Sequence, residues 1–230
     1  MLLTLLFQNP FAFVLIAGLL VLAISIHEFA HAFVADRLGD PTPGVAGRLT
    51  LNPAAHLDPL GTLLLLFAGF GWGKPVPFDP FNLKDPRRDS ALISLAGPLS
   101  NILIAILSSL ILRMVLTLPT TGVSFLFTDI LVGKFYPQER LFIPGFIYFN
   151  VLLAVFNLIP IHPLDGFKVV GGLLPKKYYD DWMSLARYGV LFLLFLIFPF
   201  FGSSPLYTLI GPIIGTIVSI LIPTQIGGII

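Results

Sequence analysis

The sequence predicts an all-α polytopic membrane protein: about five transmembrane helices, plus one re-entrant or β-hairpin-like membrane-associated segment. Three observations carry this. The 230-residue chain is 56% hydrophobic and only 11% charged, whereas a soluble domain carries about 25% charged residues. Its mean hydropathy is +0.94. Apolar runs of about 20 residues, the length of a span, recur along it between Pro- and Gly-rich connections.

Phe11 to Val34 reads as the first span, opened by Asn9-Pro10 and closed by Leu38-Gly39-Asp40-Pro41. Glycine suits a helix C-cap, and proline cannot continue the helix. The run before it lacks the basic start of a signal peptide, so it reads as a retained span. Residues 61–70, GTLLLLFAGF, are apolar but too short to cross. They read as a re-entrant or interfacial piece, tolerable at depth only if buried in protein or lining a cavity. Ala91 to Leu118, Phe142 to Ile161, Leu185 to Phe201 and Leu206 to Ile222 complete the spans, and VSFLFTDILV within 119–140 reads as a surface patch. The whole chain, 1–230, reads as a single integral membrane domain, with a core over about 11–175 and additional helices over about 185–222.

Charge orients the spans. Arg37, Arg48, Lys74, Lys84, Arg87 and Arg88 follow span one, and Lys168, Lys176, Lys177 and Arg187 follow span three. Arg113, Lys134 and Arg140 fall on the opposite side. The positive-inside rule then puts the first two groups in the cytoplasm. No basic run suggests nucleic acid. Lys176, Lys177, Tyr178, Tyr179 and Trp182 read as an interfacial anchor in the lipid bilayer.

The chemistry sits where a lipid-facing sequence should have none. Ionisable groups in apolar helices are costly and mark function. His27-Glu28-Phe29-Ala30-His31 is HExxH within the first span. Positions i and i+4 share a helix face, so both imidazoles can reach one metal ion. Glu28 lies about 100° round the helix, beside a metal-bound water, as a general base and not a ligand. With no cysteine in the chain, thiolate zinc sites, disulfides and cysteine nucleophiles are excluded.

Zinc needs a third protein ligand if one position stays open for water. NLIPIHPLDGFKV, Asn157 to Val169, ends span three on the same side as the end of span one. It offers His162 and Asp165, and spacing leaves both open. Among weaker candidates, His56 and Asp58 could support a ligand but more often bond local backbone. Asn101, in SLAGPLSN, reads mainly as helix packing, and Gly97-Pro98 as a close approach or kink.

HExxH in a membrane helix followed by N-x-x-P-x-x-P-L-D-G, here Asn157, Pro160, Pro163, Leu164, Asp165 and Gly166, resembles the site-2 protease family of intramembrane zinc metalloproteases. GRLTLNPAAHLDPLGTLLL, GWGKPVPFDPFNL and SLAGPLSN are similar to compact prokaryotic members, of the type without the PDZ or CBS domains that some relatives carry. The resemblance spans about residues 20–175. It implies one zinc ion per chain, held by His27, His31 and Asp165, with Glu28 as the base. Asn157 would donate to the developing oxyanion or the substrate backbone. It also implies a transmembrane protein or peptide as substrate, cut within or near its spanning segment, and a multi-pass plasma-membrane protein with its site toward the cytoplasm. Residues 45–78 are expected to pair with the unwound substrate edge to edge. The alternative is a zinc-binding transporter or channel, which has no need of Glu28. The oligomeric state stays open.

Overall fold

The computed structural model describes residues 2–68, 71–117, 142–198 and 204–223. The expected surface patch at 119–140 lies outside them. The described residues form α-helices joined by short turns, with one isolated antiparallel bridge between Leu57 and Gly73.

Helix α1 is Leu2–Gln8 and α2 is Pro10–Arg37. Asn9 caps α2, its Oδ1 accepting from the Ala12 N–H at 3.1 Å, and Pro10 occupies the first turn, where its missing N–H costs nothing. At the other end Gly39 takes φ +106°, while Gly39 and Asp40 donate to the carbonyls of Asp36 and Ala35. That is a Schellman motif, and its left-handed residue is why glycine stands there. The 28 residues of α2 give about 42 Å, enough to cross a bilayer of about 30 Å.

After α3, Thr42–Val45, and α4, Pro59–Ala68, comes α5, Pro86–Thr117. With 32 residues it is the second helix long and apolar enough to span. One stripe of α5 is small: Ser90, Ser94, Gly97, Asn101, Ala105 and Ser108 are all buried. Such a stripe lets neighbouring backbones approach. Helix α5 packs on α2, on α6 (Phe142–Asn157) and on α7 (Asp165–Leu173). Then follow α8, Lys176–Ser184, α9, Ala186–Ile197, and α10, Pro205–Leu221. The main core joins α5, α6 and α10 through Leu112, Ile147, Val151, Ile210 and Ile214. The outer face of α5 exposes Leu103, Leu107, Leu110 and Met114, an apolar band suited to lipid.

Three expectations need adjustment. Two described helices have span length; α6, α9 and α10 are apolar but have 16, 12 and 17 residues. Helix α6 stops at Asn157, not Ile161, because Pro160 lacks the N–H that a continuing helix needs. Residues 59–68 coil into α4, and the extended pairing expected over 45–78 is reduced, among the described residues, to the single Leu57–Gly73 bridge.

Candidate metal centre

Helix α2 buries Ala23, His27, His31 and Ala35 along one i, i+4 stripe. The two alanines let α5 close on the helix, and the two imidazoles fill the space between them. Asp165 opens α7, just past the turn that ends α6. The structure thus brings the two sequence motifs together. His27 Nε2 lies 3.1 Å and His31 Nε2 3.2 Å from the same Asp165 oxygen, Oδ2. The two Nε2 atoms are 3.0 Å apart.

Hydrogen bonds on the far side of each ring fix what those atoms are. His31 Nδ1 lies 2.7 Å from the Ile93 carbonyl, which can only accept. His27 Nδ1 lies 2.6 Å from Asn101 Oδ1, and the Asn101 amide donates to Asn150 Oδ1 at 2.8 Å and to the Ala23 carbonyl. Both Nδ1 atoms therefore carry the proton, and both Nε2 lone pairs face inward. Two lone pairs and a carboxylate oxygen converging on one point repel each other unless a cation lies among them. The spacing suits zinc, whose tetrahedral ligand atoms are about 3.3 Å apart. His27, His31 and Asp165 can thus hold one metal ion.

Gly97 makes the approach possible. A methyl group there would sit 2.6 Å from His27 Nε2 and closer still to His31 Nε2. Any larger residue at 97 would collide with both imidazoles.

Glu28 is half-buried beside the group, with Oε2 accepting the Val76 N–H at 3.2 Å. His162 is brought to a different place. Its ring lies edge-on to Phe167 at 5.7 Å, and burial, then Lys168, lowers its pKa. His56 and Asp58 bond local backbone, at the Thr50 carbonyl and the Gly61 N–H. Asn157 donates to the Leu153 carbonyl of its own helix at 2.9 Å. The asparagine that does touch a metal-site histidine is Asn101, read from sequence mainly as packing, backed by Asn150, which the sequence reading passed over. An asparagine in an apolar run was the available signal for both.

Span-length apolar helices, one of which carries two histidines that meet a carboxylate from α7, define a helical membrane protein built to bind a metal ion. Residues 14–197 match the model of peptidase family M50, the site-2 proteases, and the chain belongs to that family. It is similar to "Putative zinc metalloprotease YwhC" of Bacillus subtilis, 36% identical over 192 residues and 84% of each chain. It is also similar to "Putative zinc metalloprotease Rip2" of Mycobacterium tuberculosis, 32% identical over 79% of this chain and 65% of that one. A third relative is "Zinc metalloprotease MJ0392" of Methanocaldococcus jannaschii, 25% identical over 70% of this chain and 34% of that one. No solved structure gives a significant match. The protein is a zinc metalloprotease of the site-2 type.

Proposed function

We propose that this protease hydrolyses peptide bonds within or near the transmembrane segments of other membrane proteins, with zinc held by His27, His31 and Asp165. The observation that supports this best is the convergence of two Nε2 atoms from a span-length helix on Asp165 Oδ2 of α7, with Glu28 next to the first histidine. The distribution of Lys and Arg supports a multi-pass plasma-membrane protein of about five spans, with the site toward the cytoplasm.

Zinc, when bound, supplies a Lewis acid that polarises the scissile carbonyl and makes water acidic near neutral pH. Glu28 takes the proton of the attacking water and returns it to the leaving nitrogen, so the peptide C–N bond breaks to a carboxylate and an amine. The Val76 N–H holds one Glu28 oxygen and leaves the other for that proton. Asn157 is assigned to the oxyanion or the substrate backbone, for which its amide must turn from the Leu153 carbonyl. A helical substrate hides its carbonyls in i→i−4 bonds and must unwind first. Residues 71–78, beside Glu28, are the part of 45–78 on which the unwound strand would pair, through groups other than the engaged Lys74 and Val76 N–H and the prolines at 75 and 77.

The test is cleavage of a membrane-spanning reporter by purified protein, with zinc measured on the same sample. Wild type should cleave, and Glu28→Gln should keep zinc but lose cleavage. Zinc-loaded wild type that cleaves no reporter in a broad panel would overturn the reading. Single proline substitutions at the non-proline positions of 71–78 other than Val76, whose N–H holds Glu28, should impair cleavage without loss of zinc; intact cleavage throughout would remove the edge-pairing step.

A further inference from the structure

Arg48 is a charge that the metal centre leaves unexplained. It sits after α3, outside the spans, and is only 3% exposed. Its Nη2 donates to the Lys74 carbonyl and, at 2.6 Å, to the Pro75 carbonyl. Its Nε and Nη1 are buried and make no hydrogen bond. Burying a guanidinium with unfilled donors is expensive. Burial accordingly lowers its pKa, and the negative charge of Glu28 opposes the drop.

The route from Arg48 to Glu28 runs through one peptide unit. The Pro75 carbonyl and the Val76 N–H belong to the same rigid amide plane and, in a trans peptide, point in opposite directions. Arg48 donates into the oxygen end, and the nitrogen end donates to Glu28 Oε2. The two side chains therefore grip one amide from opposite edges. A cation at the oxygen polarises the amide and strengthens the donor at its other end. The segment is tied down again where Lys74 N–H donates to the His56 carbonyl at 2.7 Å, next to the Leu57–Gly73 bridge.

We propose that Arg48 is a positioning residue that holds Glu28 in place through the Pro75–Val76 peptide. The proposal rests on the reading of Glu28 as the base. Glu28 must keep one orientation beside the metal group while its free oxygen gains and loses a proton. One oxygen anchored on a fixed amide achieves this, and Arg48 fixes the amide.

The test compares wild type, Arg48→Gln, Arg48→Lys, Glu28→Gln and the double variant Arg48→Gln with Glu28→Gln in detergent, by amide hydrogen exchange and by reporter cleavage. Exchange over 74–76 should rise at least about tenfold in Arg48→Gln, with α5 and α6 unchanged. Glu28→Gln should raise exchange at Val76 too, and the double variant should exceed neither single, as coupling through one amide requires. In cleavage, kcat should fall at least about tenfold in Arg48→Gln with zinc retained, and Arg48→Lys should recover part of it. Unchanged exchange over 74–76 overturns the proposal. So does a kcat within about twofold of wild type, or a loss that Arg48→Lys does not relieve and that tracks loss of zinc. Should wild type cleave nothing, the proteolytic reading fails, and the exchange data alone still decide whether Arg48 fixes the amide.

Discussion

His27 and Asn101 join α2 to α5 at the metal centre: His27 Nδ1 lies 2.6 Å from Asn101 Oδ1, and both residues are buried. This contact selects the tautomer that leaves Nε2 free for a metal. Removing such an outer partner costs about 10–100-fold in metal affinity, and Asn101→Ala should lose that much. Asn101→Asp should bind zinc at least as well as wild type, because a carboxylate accepts the same N–H more strongly. Competition against a chelator of known affinity reads both variants. Equal affinity for wild type and Asn101→Ala would reduce the contact to helix packing.

Gly97 is the only residue type that its place allows. Gly97→Ala should abolish zinc binding, because the new methyl group falls 2.6 Å from His27 Nε2. Overpacking should add about 1–3 kcal/mol of destabilisation. Gly18→Ala is the control, since nothing lies within 4 Å of a Cβ there. Zinc per chain, measured after gel filtration, should fall toward zero for Gly97→Ala and stay near wild type for Gly18→Ala.

Asp165 and His162 divide cleanly in the structure, although only two residues separate them in sequence. Asp165→Asn should weaken zinc by more than the roughly 100-fold upper range of an outer partner. His162→Phe should keep zinc, since its ring packs on Phe167. Dialysis against a chelator followed by zinc readdition would score both. Zinc that followed His162 instead would overturn the assignment of Asp165.

The parts of this molecule that lipid and metal chemistry dictate were legible in the sequence. HExxH fixes its own geometry, because i and i+4 always share a helix face. The end of α2 was legible for the same local reason, in Gly39. The end of α6 was not: the apolar run continues through Leu158 to Ile161, and hydropathy alone overrides the proline at 160. Helices α7 and α8 were missed because their 9 residues each carry no long apolar run. Asn101 and Asn150 stand out as polar residues in apolar helices, but which of them meets a histidine depends on how α2, α5 and α6 pack. That packing is tertiary, and no spacing along one helix encodes it.

Asp40 makes a pH-dependent prediction outside the metal centre. Its carboxylate is fully buried just past α2. It accepts from the Thr42 hydroxyl at 2.6 Å, the Thr42 N–H, the Asp79 N–H at 2.7 Å and the Asn82 amide at 2.8 Å. Burial works against the charged form, but these donors outweigh it together and hold the pKa below the ordinary 3.8. A carboxylate lowered in the folded state adds stability that is fully present above its unfolded pKa, about 3.9. That stability disappears as pH falls through the folded value. Asp40→Asn should therefore lower the apparent Tm at neutral pH, by the equivalent of about 1–3 kcal/mol for unfilled buried donors. The gap to wild type should be constant from pH 7 to pH 5 and narrow only below about pH 4. Thermal unfolding in detergent across that range reads the gap directly. A gap that already closes between pH 7 and pH 5 would mean that another group, not Asp40, locks the end of α2 to residues 79–82.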